Sequence, residues 1–194
     1  MKIALGYVHP GWVTHEFHES VTRLLRYSPH EITLINKRSG PLIARARNEI
    51  VKAFLGTDTS HLWLVDTDVR FEPWQLERLL ETGVPIVSAL YMGQHEDETV
   101  FPVAFVRHDA ELRRPESLEG LAEVAAVGMG CCLIRRDVLE AFEPVRPGWP
   151  FAEGFWDGEP VGEDTLFCLR AAENGFRSAV LASCRVGHVK SRVI

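Results

Sequence analysis

The sequence lacks the features that mark several common classes of protein. Its four cysteines form no C-x-x-C pair and no histidines follow them at zinc-finger spacing, so a structural zinc site is not expected. No apolar run reaches the roughly 18 residues that a membrane-spanning helix needs. The short run at the start is broken by Pro10 and Gly11 and predicts a strand. We therefore expect a cytoplasmic protein without a membrane segment, whose cysteines are buried and reduced.

Positive charge is also scarce. The 194 residues include 27 acidic and 21 basic side chains, which gives a formal net charge of -6. This balance argues against a surface built to hold nucleic acid. Apolar residues make up 46% of the chain and charged residues 25%, which are ordinary values for a globular protein. The length suits one domain with a sizeable core, spanning residues 1–194.

Apolar strands alternate with amphipathic helices in the first half of the chain. The predicted strands are residues 2–8, 31–35, 61–65 and 85–91. Helices are predicted between them, capped by Thr14 or opening at Pro41 and Pro73. This alternation predicts an α/β fold with a mostly parallel, doubly wound sheet flanked by helices.

The second half of the chain has a different pattern. A strand is predicted over residues 100–106, where Pro102 suggests an edge or a bulge. Polar or Pro- and Gly-rich loops are predicted over 107–120 and 144–162. A helix then runs from about Glu163 and ends at Gly175, and a last strand covers 178–182.

Two carboxylates follow the buried strand HLWLV. Asp66 and Asp68 flank Thr67 at the C-terminal end of that strand, where open α/β sheets bind their ligands. Paired hard oxygen ligands suit Mg²⁺ or Mn²⁺ bridging to a diphosphate. The alternative interpretation is a solvated turn, because aspartate is common in turns.

The order of the motifs resembles that of GT-A glycosyltransferases related to family 2. The resemblance covers nearly the whole chain through HLWLVDTDVRFEPWQLERLLETGVPIVSALY, VGMGCCLIRRDVLEAF, GEDTLFCLRAAENGF and VGHVK. It implies a Rossmann-like twisted sheet with a small antiparallel acceptor-side region. It also implies a nucleotide-sugar-binding half, residues 1–95, and an acceptor and catalytic half, residues 96–194. The implied activity is metal-dependent transfer of a sugar from a nucleotide-sugar, most simply a UDP-sugar, to an acceptor hydroxyl.

The resemblance also implies roles for residues of the donor site. Asp66, Thr67 and Asp68 would hold the metal and the donor diphosphate, and His188 would complete the metal site. A nitrogen ligand favours Mn²⁺ over Mg²⁺. A lone histidine near a strand end is otherwise an ordinary surface or core residue.

Glu163 and Asp164 open the helix of the second half. The helix macrodipole is expected to keep both carboxylates ionised. On residues alone, capping and general-base catalysis are equally good interpretations. The resemblance implies an inverting transfer with Asp164 as the general base and Glu163 as the acceptor-binding catalytic residue.

Arg45 and Asn48 lie three residues apart on the helix after Pro41 and therefore share a face. The resemblance implies that this face contacts the donor nucleotide, and the alternative is a solvated surface. Arg47 is expected to be plain surface. The second strand ends in Ile35-Asn36-Lys37 without the acidic residue that reads the nucleobase in many relatives, so the base stays open.

Glycines and aromatic residues supply the remaining candidates. Gly128 and Gly130 would let the backbone approach the donor closely, or they form a tight turn. Aromatic rings can stack on sugars or fill the core. The predicted acceptor and sugar contacts are Tyr91, Trp149, Phe155 and Trp156, with Phe151 in the same aromatic loop. The acceptor itself stays open among a glycan, a small molecule, a protein and modified DNA.

Three other functions fit parts of the sequence. A haloacid-dehalogenase-like phosphatase would use Asp66 as nucleophile and Asp68 as general acid. That class places the motif on its first strand and needs a lysine between the acidic motifs, and no lysine lies between Asp68 and Glu163. A sugar nucleotidyltransferase would need a glycine-rich loop after the first strand, which GYVHPGWV matches poorly. A non-catalytic sugar-nucleotide-binding module is the third alternative.

Overall fold

The structure is a computed structural model that describes residues 1–95, 97–109, 111–142 and 150–189. The helices in these residues are α1 (His15–Tyr27), α2 (Ile43–Leu55), α3 (Pro73–Glu81), α4 (Arg136–Glu140) and α5 (Glu163–Glu173). The first eight strands are β1 (Lys2–His9), β2 (Glu31–Arg38), β3 (His61–Val65), β4 (Val69–Arg70), β5 (Ile86–Leu90), β6 (Met92–Gln94), β7 (Val100–Pro102) and β8 (Ala104–His108). The next eight are β9 (Glu111–Arg113), β10 (Leu121–Val124), β11 (Ala126–Val127), β12 (Cys131–Arg135), β13 (Gly154–Trp156), β14 (Glu159–Val161), β15 (Ser178–Arg185) and β16 (Gly187–His188).

A seven-stranded sheet in the order β10-β15-β5-β12-β3-β1-β2 forms the centre of the molecule. Strands β2, β1 and β3 pair in parallel, as do β15 and β5. Strand β12 pairs antiparallel to both β3 and β5, and β10 pairs antiparallel to β15. The prediction of an α/β fold with a mostly parallel sheet is therefore confirmed. Four of the seven strands come from residues 1–95 and three from the rest of the chain.

Helices cover both faces of this sheet. Apolar side chains of α2, α4 and α5 form one core cluster, and those of α1 and α3 form the other. Strand β3 contributes to both core clusters. Leu62 and Leu64 point into the first cluster, and Trp63 and Val65 point into the second. A strand buried on both faces reads as a continuous apolar run, which explains HLWLV.

Several predicted boundaries match the structure. Thr14 caps α1, since its hydroxyl accepts a hydrogen bond from the Phe17 amide at 3.2 Å. Gly175 follows α5 with a φ of 82°, the left-handed conformation that ends many helices. Helix α2 begins at Ile43, two residues later than predicted from Pro41. None of the helices in the described ranges is long and apolar enough to cross a bilayer.

The second half contains more strand than the sequence predicts. The strand predicted over 100–106 is divided at Val103, directly after Pro102, into β7 and β8. Strand β9 lies within the loop predicted over 107–120, and the β13–β14 hairpin within the loop predicted over 144–162. Small antiparallel sheets pair β8 with β9 and β11, and β6 with β7. Such short strands carry too few residues for a clear alternating pattern.

Asn48 attaches helix α2 to the second half of the chain. Its side-chain amide donates to the Phe151 carbonyl at 2.7 Å and its oxygen accepts from the Phe151 amide at 3.0 Å. Both residues are buried, so the two backbone groups of Phe151 depend on this side chain rather than on water.

Replacing Asn48 with Ala should therefore lower the free energy of unfolding by about 2–4 kcal/mol, because two buried backbone groups lose their partners. Urea denaturation measures the change. The control is Arg45→Ala on the exposed side of the same helix, which should cost no more than about 0.5 kcal/mol. Equal losses in the two variants would contradict the anchoring role of Asn48.

Candidate active site

The loop that carries Asp66, Thr67 and Asp68 is held in place by its backbone. The Asp66 amide donates to the Gly130 carbonyl at 2.9 Å, beside the start of β12. The Thr67 carbonyl accepts from both the amide and the hydroxyl of Thr14, at 3.1 and 2.8 Å. The Asp68 carbonyl accepts from the Val189 amide at 2.7 Å. The two carboxylates therefore project from a turn tied to three distant segments of the chain.

Asp68 lies beside His188. Strand β16 pairs antiparallel with β4, which places the His188 Nε2 atom 3.1 Å from the Asp68 Oδ2 atom. The other ring nitrogen, Nδ1, lies 3.0 Å from the Met92 carbonyl oxygen. Because a carbonyl only accepts, Nδ1 carries a proton in this arrangement, and Nε2 is the ring nitrogen that faces Asp68.

Glu163 and Asp164 begin α5, as predicted, and α5 faces the end of β3. Glu163 pairs with Arg47, which also lies 3.3 Å from Asp66. Glu163 and Asp66 are thus joined through one guanidinium, although they are 97 residues apart in the sequence. The acidic ends of β3 and α5 therefore meet in one cleft.

Burial, followed by the charge of Glu163, raises the pKa of Asp164, and Arg47 only partly offsets this. The Asp164 carboxylate accepts from the Thr165 amide at 2.7 Å. The helix dipole favours the ionised form of Asp164, as the sequence predicts. Burial of the carboxyl opposes that form and raises its pKa. A raised carboxyl pKa brings the group closer to the range in which a base works near neutral pH.

The expectation that Arg47 is plain surface is wrong. Its side chain is only 8% exposed, and its guanidinium bridges Asp66 and Glu163. Burial alone would lower the pKa of Arg47, but the charges of Asp66, Glu163 and Asp164 outweigh it and raise the pKa. Arg47 is therefore a permanent cation between carboxylates.

The periodicity of α2 contains the signal that identifies Arg47. Positions three, four and seven residues further along the helix are occupied by Ile50, Val51 and Phe54, which are all buried. A charged residue on that apolar face must be buried and paired. The sequence prediction instead selected Arg45, whose side chain is 69% exposed and pairs with Glu49 at 3.6 Å. Asn48, by contrast, is buried.

Gly128 and Gly130 make room for Tyr91. A Cβ atom at Gly130 would lie 2.8 Å from the Tyr91 Cζ atom and 3.1 Å from the Asp66 Oδ2 atom. A Cβ atom at Gly128 would overlap the Tyr91 hydroxyl and lie 2.7 Å from Val103. Tyr91 is buried, which raises its pKa well above the usual range, and its ring meets the His188 ring edge to face at 5.8 Å. The glycines thus shape the wall behind Asp66.

The remaining aromatic candidates differ in where they lie and how far they are buried. Phe151 is buried and stacks on Phe167 with ring centroids 4.7 Å apart, so it belongs to the core. Phe155 is 74% exposed, whereas Trp156, on the opposite face of β13, is partly buried. Trp149 lies outside the described residues.

The chemistry of the donor atoms decides which residues suit a metal ion. No three His, Cys, Asp or Glu side chains within the described ranges are already grouped as a metal site. Asp68 and His188 offer an oxygen and a nitrogen 3.1 Å apart. That separation matches the spacing of about 3 Å between adjacent ligands that each lie about 2.1 Å from an octahedral ion. The pair therefore offers two ligand atoms at a spacing that suits a divalent cation.

Comparisons with solved structures show that the chain has a GT-A-like fold. A197 from STIV superposes with a TM-score of 0.63 at 21% identity, over 98% of this chain and 87% of that one. GalNAc-T7 with UDP, GalNAc and Mn²⁺ gives a TM-score of 0.58 at 14% identity, over 97% of this chain but 44% of its own length. CMP:2-keto-3-deoxy-manno-octonic acid synthetase with CTP gives 0.57 at 12% identity, over 98% and 93%.

No protein-family model and no curated protein matches the sequence. The structural neighbours have low sequence identity and one of them is a nucleotidyltransferase, so the fold alone does not distinguish the reactions that it supports. The predicted GT-A fold is confirmed, and the function has to be argued from the site.

The buried position of Arg47 leads to a prediction about stability. Arg47→Met removes the cation and leaves Asp66, Glu163 and Asp164 facing one another. We expect a loss of about 3 kcal/mol, the lower end of the range for a broken buried pair, because the Asp66 side chain is 41% exposed.

The loss should depend on pH in a definite direction. Without Arg47, which partly lowers the pKa of Asp164, that pKa in the folded state rises further, so the protonated form is favoured and stability falls as pH rises through it. Urea denaturation of Arg47→Met and the exposed control Arg45→Met, at pH 5 and pH 8, measures this. A loss that is the same at both pH values would show that Arg47 contributes packing rather than charge.

Proposed function

We propose that this chain is a metal-dependent glycosyltransferase that moves a hexose-type sugar from a nucleotide-sugar to an acceptor hydroxyl. The observation that carries the proposal is the meeting of Asp66 and Glu163 on Arg47. It brings a strand-end Asp-x-Asp turn and a pair of helix-start carboxylates into one cleft. The first pair suits an activated diphosphate and the second suits a hydroxyl nucleophile.

The donor is proposed to lie over the carboxyl ends of β1 and β3. GalNAc-T7, which has the same fold, was crystallised with UDP and Mn²⁺, which favours a UDP-sugar here. Arg45, with Arg38 and Glu49, lines a cleft of about 330 Å³ at the start of α2 that is open to a nucleotide. Asn48 supports this site indirectly, because its buried amide holds Phe151.

The proposed metal ligands are Asp66, Asp68 and His188. A bound Mn²⁺ or Mg²⁺ would neutralise the charge that grows on the departing diphosphate. The Met92 carbonyl orients the His188 ring, and Gly130 and Thr14 fix the turn that presents both carboxylates. Thr67 contributes its backbone carbonyl to this turn.

Asp164 is the proposed general base of an inverting transfer. Its raised pKa improves its ability to remove a proton from an acceptor hydroxyl. Glu163 would hold the acceptor, and Arg47 is a positioning residue that fixes Glu163 relative to Asp66. Tyr91 forms the wall of the sugar site between Gly130 and His188, and the exposed ring of Phe155 is open to an acceptor.

A sugar nucleotidyltransferase is the second candidate, because the CTP-bound synthetase shares the fold over 98% of this chain. That reaction needs a loop that surrounds a nucleoside triphosphate after the first strand. Here the corresponding segment is Pro10-Gly11-Trp12, with Trp12 64% exposed and one glycine. Release of pyrophosphate from CTP and a free sugar would favour this candidate, whereas release of UDP from a UDP-sugar would favour the transferase.

Binding of the donor should require a divalent cation and Asp68. Isothermal calorimetry with UDP, with Mn²⁺ and with EDTA, measures this without requiring an acceptor. Asp68→Asn and His188→Ala should each weaken Mn²⁺-dependent UDP binding by at least about tenfold, because each removes a proposed ligand. The control is Asp157→Asn, which removes a carboxylate charge from an exposed turn outside the proposed metal site. Equal UDP affinities in Mn²⁺ and in EDTA would contradict the assignment of a metal site.

Asp164→Asn should leave UDP binding intact and reduce turnover by about 10²–10⁴-fold, the usual contribution of a general base. It should also raise the melting temperature at pH 7. The folded-state pKa of Asp164 is raised, so its contribution to stability is present at low pH and is lost as pH rises through that value, and Asn avoids this loss.

Asp137→Asn is the matched control, since the Arg135 guanidinium lowers the pKa of Asp137 and the same substitution there should not stabilise the fold. Proton NMR of the product tests the stereochemistry. A product with the anomeric configuration of the donor would overturn the inverting mechanism even if Asp164→Asn is inactive.

A further inference from the structure

A second concave site lies along the C-terminal half of α5. The cavity measures about 750 Å³ and is bounded by β8, β10 and the end of β13. Within the part of the chain that the structure describes, its lining includes neither the Asp-x-Asp turn nor Glu163 and Asp164. Its wall residues Leu169 and Glu173 follow Asp164 by about 8 and 14 Å along the helix, at 1.5 Å per residue. The cavity is therefore separate from the proposed transfer site.

Trp156 forms the aromatic wall of this cavity. It ends β13, and the next two residues, Asp157 and Gly158, have φ values of 53° and 85°. Two consecutive left-handed residues make the tight turn that joins hairpin strands rigidly. Because neighbouring strand residues point to opposite faces, Phe155 faces solvent while Trp156 faces the cavity. The strand and its turn thus direct the indole toward the cavity.

Small residues form part of the cavity lining. Ala125 and Ala172 contribute only methyl groups, and no atom lies within 4 Å of the position that a Cβ at Gly175 would take. Phe176, partly buried beside them, adds a second aromatic edge. A flat ring therefore has room to lie against Trp156.

Charged groups of both signs form the rim. Arg177 pairs with Glu123 at 3.4 Å, and both side chains are about two-thirds exposed, at 66% and 67%. Arg107 and Glu173 add one more charge of each sign. The rim is balanced, so it does not select an anion such as a phosphate. Guanidinium and carboxylate groups are instead good partners for hydroxyls.

We infer that this cavity binds a pyranose ring of a glycan. The apolar face of the sugar stacks on Trp156, and the rim groups hydrogen-bond its hydroxyls. An aromatic wall with a few convergent polar groups is the usual construction of a site for a small polar ligand. The inference does not depend on the proposed transferase activity, because none of the four cleft carboxylates lines this cavity.

The test measures binding of the full chain to an array of neutral and acidic oligosaccharides, followed by NMR titration of the strongest ligand. The wild-type chain should bind at least one oligosaccharide. Trp156→Ala should weaken that binding by at least about tenfold, the loss expected for an aromatic anchor. The control Trp74→Ala removes an exposed indole on α3, outside the cavity lining, and should leave the affinity unchanged.

A second variant guards against misfolding of Trp156→Ala. Ala172 is exposed on α5, so Ala172→Phe fills the cavity from the helix surface without disturbing the core, and it should also abolish glycan binding. The inference is overturned if the wild-type chain binds no oligosaccharide, or if binding survives both Trp156→Ala and Ala172→Phe.

The outcome is separable from that of the proposed function. Trp156→Ala should retain Mn²⁺-dependent UDP binding, and Asp164→Asn should retain glycan binding at the cavity. Glycan binding that is lost in Trp156→Ala, in a chain that transfers no sugar, would support the cavity and reject the transferase. Loss of glycan binding in Asp164→Asn but not in Trp156→Ala would place the sugar in the cleft and overturn the inference.

Discussion

The arrangement of the cleft depends on one buried cation. Arg47 reaches from α2 to Asp66 at the end of β3 and to Glu163 at the start of α5, and it is almost closed off from water. Without it, the carboxylates of two separate motifs would repel one another at the point where the two halves of the chain meet. The same helix carries Asn48, whose amide holds the backbone of Phe151. Helix α2 therefore ties the second half of the chain to the sheet through the Arg47–Glu163 ion pair and the hydrogen bonds of Asn48.

Several features of the cleft cost the fold stability. Burial and the neighbouring charge of Glu163 both oppose the ionised form of Asp164 and raise its pKa. A structural helix cap would be more stable as a neutral or exposed residue. Gly128 and Gly130 likewise give up side-chain contacts so that Tyr91 can lie against Asp66. Costs of this kind concentrate where proteins bind and react.

Local patterns in the sequence were sufficient for the elements that present the site and insufficient for the contacts across it. The apolar run HLWLV with its terminal Asp66, and the acidic start of α5 at Glu163, were predicted at their observed positions because strand ends and helix starts are local features. Arg47 was assigned to the surface because its partners lie 19 and 116 residues away. The sequence does contain a signal for its burial, because Arg47 lies seven residues before Phe54 and therefore on the same apolar face of α2. The antiparallel insertion of β12 between β3 and β5 depends on pairing partners, which an apolar run such as CCLIR does not specify.

The balance of charge in the cleft favours a divalent cation beside a bound diphosphate. Asp66, Asp68, Glu163 and Asp164 bring four carboxylates to the cleft, and Arg47 compensates about one of them. His188 adds a positive charge only when it is protonated. A diphosphate, itself an anion, would therefore meet a surplus of negative charge, which would oppose its binding. A divalent cation held by Asp68 and His188 would reverse this sign on the β3 side of the cleft. The Asp164 side would stay negative and therefore able to accept a proton.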